Sequence, residues 1–139
     1  MAWIPMILEG EAEAELKDWY DKLYEPWGGV DNIMKIHSLN INTLKGHYEL
    51  YLSAMRGTKD LSYKQREMIA VVVSNVNQCH YWIIHHGAGL RKIKNDDDFV
   101  KQFVKDYKNS HISDQDKIML DYAQKLTMEP WNMVETDVQ

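Results

Sequence analysis

Apolar residues recur at intervals of three and four along most of the chain, the spacing that gathers them on one side of a helix. Leu16, Trp19, Tyr20, Leu23 and Tyr24 form one such stripe on an acidic segment. The restriction on the residue before a proline predicts that this helix ends ahead of Pro26. "PWGGVDN" (26–32), with two glycines, reads as a loop. Leu44, Tyr48, Tyr51, Leu52 and Met55 mark a second helix, with Gly57 placed to close it in a left-handed cap. Ser62 and Gln65 stand at capping-box spacing and open a helix through "KQREMIAVVVSN". Phe99, Val100, Phe103, Val104 and Tyr107 define another, begun by Asp96, Asp97 and Asp98, whose charge suits the positive end of a helix dipole. Ile118, Met119, Tyr122, Ala123 and Leu126 give the last clear helix, capped by Ser113.

"MIAVVV" (68–73) is rich in β-branched residues and could form a buried strand. A lone strand would find no partner elsewhere in this sequence, and unpaired backbone groups are costly in a core. The expectation is therefore helix here and an all-α fold overall, with one domain and one core over the 139 residues. Near the end, Thr136 and Gln139 repeat the capping-box spacing, a pattern that announces a helix; a helix missing there would leave apolar surface for another subunit to cover.

Composition narrows the function classes. Hydrophobic residues make up 45% and charged residues 27%, as in globular rather than disordered chains. The formal charge of -5 and the lack of a basic block argue against nucleic acid as a partner. No apolar run approaches the roughly 18 residues of a membrane span, so no membrane partner is expected. The opening "MAWIPMILEGEAEAE" runs straight into acids and does not read as a secretory signal. A single cysteine cannot form an internal disulfide, which fits a reducing, cytoplasmic setting.

Candidate chemistry concentrates in "NQCHYWIIHHG" (77–87), which holds the one cysteine and three of six histidines. On a helix capped by Asn77, Cys79 falls in the first turn, where free amides and the dipole favour a thiolate. At about 100° per residue, Cys79 and His86 share a face two turns apart, with Trp82 between them, while His80 and His85 point elsewhere. Two readings stand side by side: a reactive thiol–imidazole pair, or an inert small hydrophobe beside a structural histidine. A metal site from His80, His85 and His86 is disfavoured, because adjacent histidines diverge around a helix and the zinc-binding i, i+4 pair is missing. Glu67 lies twelve residues before Cys79. An antiparallel helix pair could bring its carboxylate to His86 as an orienting base, although the residues alone favour a surface glutamate paired with Arg66 or Lys64.

"REMIAVVVSNVNQCHYWIIHHGAGL", with "PWGGVDNIMKIHSLN", "TLKGHYELY" and "LDYAQKLT", resembles the AhpD-like, peroxidase-related branch of the carboxymuconolactone decarboxylase superfamily. The likeness covers most of the chain from Trp3 onward. The family pattern is a glutamate, then Cys-x-x-Cys, then a histidine four residues after the second cysteine. On this sequence it assigns catalytic positions to Glu67, Cys79 and His86, with Tyr81 and Trp82 as substrate contacts. It implies a compact helical fold, a homo-oligomer (trimer or hexamer), reduction of small-molecule hydroperoxides, and no cofactor or metal. Such domains carry further helices after the stretch "TMEPWNMVETDVQ", so the resemblance implies that these C-terminal helices are absent from residues 1–139.

Trp82 occupies the position of the family's second cysteine. The family's cycle attacks peroxide with one thiolate and resolves the sulfenic acid with the other. With one sulfur, either catalysis is lost with the attacking thiol, or Cys79 is that thiol and an external thiol reductant completes the cycle. The tryptophan could also dry the pocket and raise the thiol pKa against the pull of the dipole. Three functions follow: a one-cysteine hydroperoxide-reducing oxidoreductase; an inactive oligomeric scaffold or binding protein; and a sulfur-free acid–base lyase using Glu67 and His86. For the lyase, none of Arg56, Arg66 and Arg91 is marked by the sequence as an anion-binding group.

Overall fold

The computed structural model describes residues 3–26, 28–56 and 59–138. Every regular element among them is a helix or 3₁₀ turn, as the apolar spacing requires, and none is a strand. The chain divides into two compact units, Met1–Thr58 and Lys59–Gln139. Each has its own apolar cluster, where the sequence suggested a single core.

In the first unit, α1 (Ala14–Leu23), α2 (Asn32–Lys35) and α3 (Ile41–Arg56) follow a 3₁₀ turn at Glu9–Glu11. Leu16, Tyr20 and Leu23 from α1 bury against Val30, Met34 and Leu44. Tyr24, the last residue of the expected stripe, is exposed, because the helix has already ended at Leu23. The loop at 26–32 contains Gly28 and Gly29 at positive φ, a region that favours glycine. It is shorter than expected, since Asn32 already begins α2. Glu9 fastens it: its Oε1 accepts from the Val30 amide and from Lys35 Nζ, both at 2.9 Å. These donors hold the Glu9 carboxyl down at about 2. The proposed cap at Gly57 lies outside the described residues.

The second unit contains α4 (Tyr63–Val76), α5 (His80–Lys94), α6 (Asp97–Lys105) and α7 (Asp114–Met128). The Ser62–Gln65 capping box is formed, and "MIAVVV" lies inside α4. α4 packs chiefly against α5 and α7. Met68, Val71 and Val72 meet Leu90, Val100, Phe103 and Leu120 in the core. Burying each such side chain is worth about 1.5–3 kcal/mol, enough to override the weak helix propensity of the valines. Asp96 and Ser113 cap α6 and α7 through their side chains. Two details depart from the apolar pattern. Tyr107 lies beyond α6 in a 3₁₀ turn, and α7 buries Leu120 and Ala123 while leaving Ile118 and Leu126 exposed. Thr136 lies in a final 3₁₀ turn, Glu135–Asp137, and Gln139 lies outside the described residues. Among those residues, no helix is long and apolar enough to cross a membrane.

Candidate active site

α4 and α5 form an antiparallel hairpin around a very short turn. Asn77, expected to cap α5, instead terminates α4: its amide bonds the Val73 carbonyl at 3.1 Å and its backbone is still helical. Gln78 then takes φ +52°, and Cys79 itself is the N-cap of α5, its amide bonded to Ser74 O at 2.9 Å. Cys79 thus sits one position ahead of the first turn. Its side chain is half-buried and, among the described residues, makes no hydrogen bond, either to the amides of α5 or to a side chain.

The hairpin brings Glu67 and His86 together. Glu67 is 3% exposed and its Oε2 lies 2.9 Å from His86 Nδ1, with His86 also buried. The surface position favoured by the residues alone is therefore not the one Glu67 occupies; the facing helix encloses it. An ionised carboxylate only accepts, so Nδ1 carries the hydrogen and the neutral ring keeps its lone pair on Nε2. That nitrogen has no hydrogen-bond partner among the described residues.

Gly89, three residues further along α5, makes the approach possible. A β-carbon there would stand 2.7 Å from Glu67 Oε2 and 2.8 Å from its carboxyl carbon. Sequence reading missed this role. The available signal was a glycine one turn beyond the histidine, on the helix facing the glutamate.

Trp82 stacks on His86, with centroids 5.1 Å apart and planes 19° from parallel, which restricts rotation of the imidazole. Tyr81 meets Trp82 edge-on at 5.1 Å and is partly exposed. His85, expected to point away, joins the same ring cluster, edge-on to Trp82 at 5.2 Å and to His86 at 5.3 Å. Neighbouring large rings on one helix reach each other across the 100° step. His80 is exposed at the start of α5. Of the arginines, Arg66 donates to the Leu61 carbonyl at 2.6 Å and Arg91 pairs with Asp97. Chemically, the site holds a buried carboxylate, an imidazole that it orients, a stacked indole, and a thiol two turns up the same helix.

A model of the carboxymuconolactone decarboxylase family matches residues 44–102, which include Glu67, Cys79 and His86. A search of curated proteins gives no significant match. Among solved structures, a peroxidase-related protein from Silicibacter sp. TM1040 superposes with a TM-score of 0.82 at 30% identity, covering 96% of this chain and 72% of that one. The alkylhydroperoxidase AhpD core of a peroxidase-related protein from Ralstonia eutropha JMP134 gives 0.83 at 23% identity, covering 97% and 71%, and speaks for the fold. With the hairpin geometry, these likenesses make the chain an AhpD-like member of the carboxymuconolactone decarboxylase family.

Proposed function

We propose that the protein is a one-cysteine hydroperoxide reductase in which Cys79 is the sulfur nucleophile, His86 the proton relay and Glu67 its positioning residue. The observation that carries this reading is the enclosed 2.9 Å contact between Glu67 and His86, on the helix whose N-cap is the chain's cysteine. His86 Nε2 takes the proton of the Cys79 thiol, and the resulting thiolate attacks the terminal oxygen of an alkyl hydroperoxide. The O–O bond breaks, an S–O bond forms, and the departing alkoxide takes a proton from His86; the products are a sulfenic acid and an alcohol. Trp82 supplies no second thiol, so a small external thiol displaces water from the sulfenic acid, and a second molecule of that thiol releases Cys79 from the mixed disulfide. Tyr81 and Trp82 form the apolar wall against which the alkyl group rests.

The test is thiol-coupled turnover of cumene hydroperoxide, with dimedone trapping read by mass spectrometry. Trapping at Cys79, abolished turnover in Cys79→Ser and a fall of about 100-fold in His86→Ala are expected, the last being the usual size of an acid–base contribution. Turnover surviving in Cys79→Ser, or no adduct while free thiols react, overturns the reading.

The unbonded Cys79 side chain favours a second reading, acid–base chemistry by Glu67 and His86 on a small carboxylated lactone. It predicts product formation from such a lactone that is indifferent to Cys79→Ser and lost in Glu67→Gln.

A further inference from the structure

His37, just beyond α2, and His47, on α3, are both half-buried, and His37 Nε2 lies 2.9 Å from His47 Nδ1. The two rings are 4.9 Å apart at 65°. Neither residue belongs to the Glu67–His86 site, and the arrangement of hydrogens between them is fixed by their neighbours. Thr43 donates its hydroxyl hydrogen to the Asn40 carbonyl at 2.8 Å. The Thr43 oxygen, 3.3 Å from His37 Nδ1, can then only accept, so His37 carries its hydrogen on Nδ1. His37 Nε2 is left with a lone pair, which accepts from His47 Nδ1–H. Burial, and secondarily the charge His37 would carry, lowers the pKa of His47.

This is how an imidazole is prepared for a metal: one ring nitrogen held by an oxygen behind it, the other presenting a lone pair. We propose that His37 Nε2 and His47 Nδ1 form a two-nitrogen site for a divalent transition metal, Cu(II) above Zn(II), with water completing the shell. On binding, the metal takes the place of the hydrogen between the rings, and His47 carries that hydrogen on Nε2 instead. No net proton is gained or lost. Two nitrogens bound at about 2.0–2.1 Å stand about 2.9 Å apart when they meet the metal at a right angle and about 3.3 Å apart at the tetrahedral angle. The hydrogen bond already holds the two nitrogens 2.9 Å apart, the spacing that a right-angled pair of ligands needs. Only re-aiming of the rings is required, and partial exposure leaves a path for the ion.

The proposal is tested by titrating the full chain, its thiol blocked with iodoacetamide, with Cu(II) and separately with Zn(II), following heat and the electron paramagnetic resonance spectrum. Wild type is expected to show one Cu(II) with splitting from two nitrogens and at least tenfold weaker Zn(II) binding. His37→Ala and His47→Ala should each weaken Cu(II) at least tenfold. Thr43→Val, which removes only the oxygen behind His37, should weaken it about tenfold, and His111→Ala should leave it unchanged. Circular dichroism checks that the variants fold, and the nitrogen count on wild type stands independently of them. A spectrum with one nitrogen or none, or affinities within twofold of wild type in both folded histidine variants, overturns the site.

Discussion

Two histidine environments in this molecule show how much a partner decides. His86 faces a carboxylate inside a helix hairpin, and His37 and His47 face each other beside a short turn. In both, one ring nitrogen is tied down and another presents a lone pair. A carboxylate behind an imidazole fixes which ring nitrogen carries the hydrogen, so His86 is suited to relaying a proton through the other. An imidazole behind an imidazole offers no such charge, and the His37–His47 pair is suited instead to donating electrons to a metal. The residue type is the same; the partner's charge divides the roles.

The largest expected effect comes from breaking the Glu67–His86 pair. His86→Ala leaves an enclosed carboxylate without its partner and should destabilise the protein by about 3–5 kcal/mol in urea denaturation. Glu67→Leu combined with His86→Leu should lose less than the sum of the single changes, and a sum that adds within about 0.5 kcal/mol would deny the coupling. Next comes Gly89→Val, which presses branched carbon onto the Glu67 carboxylate. A loss of about 1–3 kcal/mol is expected from thermal melts, as for other overpacked sites, with Gly89→Ala affected less.

Glu9 offers, as a reference, a carboxylate held by a backbone amide and an ammonium group. Its pKa is depressed from 4.5 to about 2, so it stabilises the fold fully above 4.5, and that contribution is lost as pH falls through about 2. Glu9→Gln should therefore be less stable than wild type at pH 6, with the gap closing toward pH 2; a gap constant across that range would contradict it. The smallest effect concerns the His37–His47 pair. The His47 ring should titrate below 6.5 by proton-detected nuclear magnetic resonance. Its folded form binds a proton less readily than the unfolded chain, so stability declines slightly as pH drops through the ordinary histidine range. His37→Leu should raise that titration only a little, since burial is the larger cause.

Much of the fold was legible because helices are local. The stripes of α1, α3 and α6 and the caps at Ser62, Asp96 and Ser113 all follow from residues within a few positions of one another. α2 was not legible, since four residues are too short for a periodicity. The start of α5 was displaced because Asn77 suits the end of one helix as well as the start of the next. Cys79, His86 and Trp82 share a helix, so their spacing could be read, whereas Glu67 depended on the packing of a second helix. The His37–His47 contact was invisible, because ten positions and a change of direction separate the two rings.

Trp82, lying flat over His86, has one more consequence. A charged imidazole quenches the light emitted by an indole stacked on it. The difference in fluorescence between the native chain and Trp82→Phe is therefore a built-in optical gauge of the proton on His86, readable during turnover without any added label.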